Sequence, residues 1–141
     1  MEKNLPPVSG NNESSFRRIA EAANGLIYIS ETDAEVVPFE TGEVSDLTVA
    51  EILKLSGSTD DKPVEIISPE AFFDPLMKMR DWYGERERQR ATGYAKLFAV
   101  LKQELSGLKV FRIGSIQIAI YVVGIDREGK VTGVTTHAVE T

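Results

Sequence analysis

The chain has 141 residues, of which 42% are hydrophobic and 27% charged, a composition typical of one soluble globular domain. Its 22 acidic and 16 basic residues give a net charge of -6, which disfavours a protein whose whole surface binds nucleic acid. The absence of cysteine excludes disulfides, thiolate metal sites and thiol nucleophiles, and His137 is the only histidine, so acid–base catalysis at neutral pH has few candidate groups.

The N-terminal residues predict a tail rather than a folded segment. Residues 1–13 are rich in Pro, Gly and Asn, and they lack the apolar stretch of a secretory signal. No run approaches the roughly 18 apolar residues of a membrane span. We therefore expect a flexible tail at 1–13, a single domain at 14–141, and a cytoplasmic location.

The first folded segment predicts a helix followed by a strand. Ser14 and Ser15 are good N-caps ahead of apolar residues at helical spacing, and Gly25 suits the C-terminal end of that helix. The apolar run at 26–29 predicts a buried strand, and the polar residues 30–33 predict a turn directly after it.

The next elements are short. A strand is predicted at 36–39, where Pro38 confines it to a sheet edge or a bulge because proline donates no ladder hydrogen bond. Thr48 and Glu51 form a capping-box pattern ahead of a helix that reaches about Leu55. A loop at 57–62 then leads to a strand at 64–67 and a helical turn at 68–73.

The longest predicted element is a helix at 83–106, which ends before Gly107. Its apolar stripe has to face the core, because each large buried side chain contributes roughly 1.5–3 kcal/mol. Strands at 110–113, 116–125 and 131–139 follow, with a turn at 126–130, and these predict an antiparallel meander. The stripe consists of Tyr94, Leu97, Phe98, Leu101 and Leu105.

Charge is distributed unevenly along the chain. Residues 1–70 carry 14 acids and 5 bases, whereas residues 71–141 carry 8 acids and 11 bases. The acidic stretch either serves solubility alone or steers a cationic partner towards the protein.

Two further features point to binding rather than catalysis. Asp81 and Trp82 lie between two predicted helices, where the only tryptophan acts either as a core plug or as an interface anchor. The chain ends on Glu140 and Thr141, whose carboxylate and hydroxyl groups form a compact set of hard oxygen ligands that suit Mg²⁺. The glycines are isolated and form no phosphate-binding loop.

Several segments together resemble the nuclease A inhibitor family of bacterial proteins. The resemblance covers about residues 14–33 and 68–141, and it ends on the same residue as the family. The residues that carry it are NGLIYISE at 24–31, FF at 72–73, DWY at 81–83, AKLF at 95–98, VFRIG at 110–114, YVVG at 121–124, GVTT at 133–136 and VET at 139–141.

This resemblance implies an α+β fold, a three-layer α/β/α sandwich with a mixed, mostly antiparallel sheet and helices on both faces. It implies a non-catalytic protein that blocks the active site of a sugar-non-specific, Mg²⁺-dependent ββα-metal endonuclease acting on DNA and RNA. No cofactor, no direct nucleic-acid contact and no membrane contact are expected, and a free monomer would form a 1:1 complex. The partner-binding residues implied are Glu31, Asp81, Trp82, Glu140 and Thr141, of which Glu31 and Thr141 would approach the partner's Mg²⁺ while the free protein holds no metal.

One segment departs from the family. The start of the long helix is acidic there, whereas this chain has Arg86, Arg88 and Arg90. Arginines beside a phosphate-binding cleft would be repelled, so they point away, or the target nuclease differs, or this chain has lost or changed its target. The alternative to an inhibitor is a non-catalytic scaffold or regulatory module of the same fold, which would bury Trp82 and keep Thr141 far from Glu31.

Overall fold

The computed structural model describes residues 14–43, 48–56 and 62–141, so the predicted tail at 1–13 and most of the predicted loop at 57–62 lie outside the described residues. The described elements are α1 (Ser15–Ala23), β1 (Ile27–Ile29), β2 (Asp33–Glu35), β3 (Val37–Glu43), α2 (Val49–Ser56), β4 (Val64–Ile67), α3 (Pro69–Met77), α4 (Glu85–Glu104), β5 (Ser106–Ile113), β6 (Gln117–Ile125) and β7 (Lys130–Val139).

The described strands form two sheets. Five strands lie in the order β3-β7-β6-β5-β4, and β1 pairs with β2 separately. Every pairing among these strands is antiparallel, so the expectation of a mixed sheet is wrong for the described residues. The physical reason is that β5, β6 and β7 are joined by short hairpin connections, which reverse the chain direction each time. The predicted meander is confirmed.

The two faces of the five-stranded sheet have different partners. In β5, β6 and β7, even-numbered side chains such as Ile120 and Val122 belong to a core that includes residues of α1, α3 and α4. Odd-numbered side chains such as Phe111 and Val123 cluster instead with Ile52 of α2. This separation follows from the two-residue period of a strand, which sends successive side chains to opposite faces. The fold is therefore α+β, with both sheet faces carrying buried apolar residues.

Helix α4 carries the predicted apolar stripe. All five stripe residues are buried, with Leu105 the most exposed at 7%, so the predicted helical phase is confirmed. The helix is shorter than predicted at both ends, because Gly84 is its N-cap and Leu105 already has an extended conformation. Phe73 of α3 stacks on Phe98 at a centroid distance of 4.4 Å, which fixes α3 against α4.

The region after α1 differs from the prediction. The strand predicted at 26–29 is not a buried strand: β1 pairs with β2 outside the main sheet, and Ile29 is 50% exposed. Strand β2 was not predicted, because its sequence Asp33, Ala34, Glu35 has only one apolar residue. Ala34 is nevertheless buried, so tertiary packing decides this strand rather than local propensity.

Helix α3 extends beyond the predicted end at residue 73. It continues to Met77 although Pro75 lies inside it, where proline removes a helical hydrogen bond. Phe72 and Phe73 are buried against β1 and α4, and this packing outweighs the local cost. Of the two positions that the sequence allows for the strand containing Pro38, a sheet edge or a bulge, the structure shows the edge, since β3 is an outer strand of the sheet.

The hairpin between β6 and β7 follows the predicted turn chemistry. The Asp126 side chain accepts hydrogen bonds from the backbone N–H groups of Glu128 and Lys130, and Gly129 adopts a φ of 81° that favours glycine. Among the helices of the described residues, none is long and apolar enough to cross a membrane.

Candidate functional site

The structure brings Glu31 and Thr141 into direct contact, whereas the resemblance implied only that both approach the partner's Mg²⁺. The Thr141 backbone N–H donates to Oε2 of Glu31 at 2.6 Å, and the Thr141 hydroxyl donates to Oε1 at 2.8 Å. Both residues are exposed, so this paired unit lies at the surface. We call the Glu31 carboxylate and Thr141, together with Ser30 and Val139, the Glu31 clamp.

Hydrogen bonds also hold the backbone of the clamp in place. The Val139 N–H donates to the Ser30 hydroxyl oxygen at 3.0 Å, and the Glu31 N–H donates to the Val139 carbonyl at 3.2 Å. The Ser30 hydroxyl in turn donates to the Thr32 carbonyl at 3.0 Å, which closes the turn after β1. These bonds join the β1–β2 turn to the end of β7, so the direction of the Glu31 side chain is set by the main sheet.

The clamp also holds Glu31 in its charged form. The hydrogen bond from the Thr141 backbone N–H lowers the pKa of Glu31, and the Thr141 hydroxyl adds to the effect. An ionised carboxylate has about four acceptor positions, so oxygen lone pairs remain after both Thr141 bonds. The clamp therefore presents an oriented anionic acceptor to solvent.

Glu140 lies beside the clamp but has a different partner. Its carboxylate accepts from Arg112 Nη2 at 2.7 Å, and Glu65 Oε1 lies 3.4 Å from Arg112 Nε. The Glu140 carboxylate is thus bound by Arg112 and the Thr141 hydroxyl by Glu31, so these oxygens do not form the expected compact set. Within the described residues, no group of three or more acidic or histidine side chains is arranged to hold a metal ion.

Asp81 and Trp82 lie in the short connection between α3 and α4. Trp82 is 74% exposed, which rules out the core-plug interpretation, and its ring contacts Tyr83 edge-on at a centroid distance of 4.8 Å. Met79 in the same connection is 52% exposed. Exposed tryptophan and methionine side chains are enriched at interaction surfaces.

The Trp82 segment and the Glu31 clamp are anchored to neighbouring elements, although no hydrogen bond or ring contact in the described part of the chain joins them. Tyr28 of β1, three residues before Glu31, stacks on Phe72 of α3 at 5.6 Å. Helix α3 then leads directly to Asp81 and Trp82. The stacked pair of Tyr28 and Phe72 therefore connects the strand that precedes the Glu31 clamp to the helix that precedes Trp82.

The three arginines of α4 have different environments. Arg88 donates to the Tyr83 carbonyl at 2.7 Å and to Glu85 at 3.1 Å, so it supports the start of the helix. Arg86 and Arg90 instead line an open groove of about 1000 Å³ between α1 and α4. The sequence pattern did not predict this groove, because it arises from two helices separated by more than 60 residues.

Sequence reasoning also missed the buried carboxylate of Glu104. Its side chain is 2% exposed and accepts from the Ser15 hydroxyl at 2.9 Å and from Arg18 Nη1 at 2.8 Å. Burial raises the pKa of Glu104, but the hydrogen bonds from Ser15 and Arg18 and the positive charges of Arg18 and Arg127 together outweigh it, so the net pKa is lowered. The available signal was an acid next to the apolar stripe, three residues after Leu101.

Comparison with known protein families gave one finding. The family model described as "Nuclease A inhibitor-like protein" matches residues 13–141, which is nearly the whole chain. No curated protein matches.

Proposed function

The chain belongs to the nuclease A inhibitor-like family, and on this basis we propose that it is a protein inhibitor of a sugar-non-specific, Mg²⁺-dependent endonuclease of the ββα-metal class. It would act stoichiometrically by covering the nuclease active site, and it would catalyse no reaction itself. The observation that carries this proposal is the Glu31 clamp, an exposed carboxylate that is both oriented and held ionised.

The chemistry of a nuclease cleft fits such a carboxylate. An enzyme that cleaves phosphodiesters with Mg²⁺ keeps open metal positions and cationic groups for the scissile phosphate. A carboxylate oxygen is a hard ligand that suits Mg²⁺, and a preoriented anion loses little conformational freedom on binding. Glu31 would therefore take the place of a phosphate oxygen at the metal, with Thr141 positioning it.

Trp82 would supply the apolar part of the interface. Its exposed ring resembles the aromatic anchors that contribute most binding energy at protein interfaces, and Asp81 beside it is attracted to a cationic rim. Glu140, which remains near the clamp but is paired with Arg112, would contribute less than an unpaired acid.

The proposed binding unit is the single domain at 14–141, acting as a monomer in a 1:1 complex in the cytoplasm. Its proposed architecture is the three-layer α/β/α sandwich of the family, with α1, α3 and α4 on one face of the sheet and α2 on the other. The two separate apolar clusters support this arrangement.

The scaffold alternative makes two structural demands that the geometry does not favour. It requires a buried Trp82 and a Thr141 distant from Glu31, whereas Trp82 is 74% exposed and Thr141 hydrogen-bonds to Glu31. These observations support the inhibitor over a module that only keeps the fold.

A titration tests the proposal. The protein is added to a purified Mg²⁺-dependent non-specific nuclease, and residual cleavage of plasmid DNA is measured. We expect activity to fall linearly to an endpoint near one inhibitor per nuclease. Full cleavage at a large molar excess, with several nucleases of this class, would contradict the proposal.

A further inference from the structure

The groove between α1 and α4 carries a cluster of positive charges that the protein does not neutralise. Arg86, Arg90 and Lys96 line it, and none of them makes an ion pair or hydrogen bond within the described part of the chain. The three cations lie along one helix at the groove, so a single acidic partner could meet all of them.

The walls of the groove are partly apolar. Its lining includes Leu26 and Ile27, which follow α1, and Gly93 and Val100 of α4, and the Leu26 side chain packs against Gly93. The three cations are spread over ten helical residues, which corresponds to about 15 Å along the helix axis. An extended peptide of about five residues has this length.

Two acidic residues, Glu21 and Glu104, also line the groove. Glu104 is buried and already bound by Ser15 and Arg18, so it is not available to the three cations. Glu21 on α1 is exposed, and its carboxylate has no partner among the described residues. The unpaired charge in the groove is therefore positive overall, with Glu21 as the one opposing group.

We propose that this groove receives an acidic, extended segment of the partner protein. The identification of that partner with a nuclease rests on the proposed function. Arg86 lies in the first turn of α4, four residues after Trp82 in the sequence, so the groove begins on the helix that directly follows the proposed anchor. Two free guanidinium groups there would be repelled by a phosphate-binding surface, so the covering segment has to be acidic.

A peptide experiment tests the groove without any nuclease. The probe is a fluorescein-labelled octapeptide that alternates glutamate with alanine, and the control probe has glutamine in place of glutamate. Fluorescence anisotropy should show binding of the glutamate peptide only. The double variant Arg86→Gln/Arg90→Gln should weaken it about tenfold, since each partly exposed ion pair contributes a few-fold at most.

Two further variants serve as controls for the Arg86→Gln/Arg90→Gln double variant. Arg88→Gln removes a charge from the same helix but outside the groove, and it should change peptide affinity less than twofold. Glu21→Gln removes the opposing charge, so it should strengthen binding of an acidic peptide. Thermal denaturation of each variant establishes that it is folded.

The possible results are distinct. Absence of peptide binding, an equal loss with Arg88→Gln, or weaker binding after Glu21→Gln would overturn the acidic-segment proposal and leave the inhibitor proposal standing. A further result would be that a single-stranded oligonucleotide of equal charge binds more tightly than the peptide and loses this binding in the double variant. That result would overturn the proposal, because the ligand of the groove would then be nucleic acid and not a protein segment. Peptide binding without inhibition of any nuclease would support the groove as a site for acidic segments and would contradict a nuclease as the partner that supplies them.

Discussion

Glu31 acquires its orientation from a residue 110 positions away in the sequence. An exposed glutamate ordinarily samples several rotamers, which costs free energy when a partner fixes one of them. Here two donors from Thr141 fix the carboxylate before any partner binds. At the residue scale the protein is thus preorganised at Glu31, while Trp82 provides apolar area without such support.

Replacing Trp82 by alanine should separate docking from stability. Because the side chain is 74% exposed, the melting temperature should stay almost unchanged, whereas nuclease binding should weaken by about 2 kcal/mol or more. Calorimetric binding and thermal denaturation measure the two quantities. A large drop in melting temperature with unchanged inhibition would contradict the role of Trp82 as an anchor.

The variant Glu31→Gln should weaken inhibition roughly 10- to 100-fold, because it removes the charge offered to the metal while keeping the size of the side chain. The matched control is Glu35→Gln, which removes an exposed charge from the neighbouring strand β2. Inhibition constants for both variants decide the matter. Equal effects would indicate general electrostatics rather than a specific contact by Glu31.

The pKa of Glu31 should be measurably lower than that of an ordinary glutamate, because Thr141 hydrogen-bonds to its charged form. A group with a lowered folded-state pKa stabilises the fold above its unfolded pKa, and this contribution is lost as pH falls through the folded-state value. Carbon NMR titration of the side chain measures it. The variant Thr141→Ala removes only the hydroxyl donor and keeps the backbone donor, so the pKa should rise part of the way. An ordinary glutamate pKa in the unsubstituted protein would exclude the clamp in solution.

At the element scale, α1 and α4 are joined by one buried carboxylate. Glu104 at the end of α4 receives hydrogen bonds from Ser15 and Arg18 on α1, and Arg127 lies 3.7 Å away. A buried acid without these donors would be destabilising, so the two helices depend on each other at this point. The same pair of helices forms the groove, whose width is therefore linked to this contact.

The variant Glu104→Gln should lower the free energy of unfolding by about 1–3 kcal/mol, because it weakens a buried, charge-assisted network. The exposed pair of Glu85 and Arg88 on the same helix gives the control, since Glu85→Gln should cost less than about 1 kcal/mol. Urea denaturation at neutral pH measures both. An equal loss of unfolding free energy in Glu104→Gln and Glu85→Gln would mean that Glu104 contributes no more than an exposed charge.

At the scale of the whole molecule, the charge is separated along the sequence. The half at 1–70 is strongly acidic and contains Glu31, whereas the half at 71–141 has a small excess of bases and contains the groove cations. Fields of opposite sign orient a protein as it approaches its partner. In the proposed complex, the acidic residues of the first half would steer the protein towards a cationic cleft, and the groove cations would attract an acidic surface of the partner.

Association with a nuclease should consequently slow as salt rises, because charges separated by more than about 10 Å are screened at 0.1 M salt. The effect should appear in the association rate more than in the dissociation rate. Stopped-flow fluorescence at several salt concentrations, using Trp82 as the reporter, provides the measurement. An association rate independent of salt would leave the acidic residues with a role in solubility alone.

The sequence by itself determined the elements whose information is local. The 3.6-residue stripe from Tyr94 to Leu105 specified α4 and its buried face, and the alternation at 116–125 with the Asp126 and Gly129 turn specified the final hairpin. Pro38 identified an edge strand because a missing donor is a property of the residue alone. The resemblance read from the sequence implied that Glu31 and Thr141 approach the same metal ion, and the structure has the two residues in contact.

Tertiary structure decided what depends on pairings between distant residues. Strand β2 exists because Ala34 is buried, and α3 continues past Pro75 because Phe72 and Phe73 pack on other elements. The burial of Glu104 and the exposure of Trp82 likewise follow from the way the helices pack on the sheet. A local pattern specifies which side of an element is apolar, but strand order and helix packing decide which polar groups are left together at the surface.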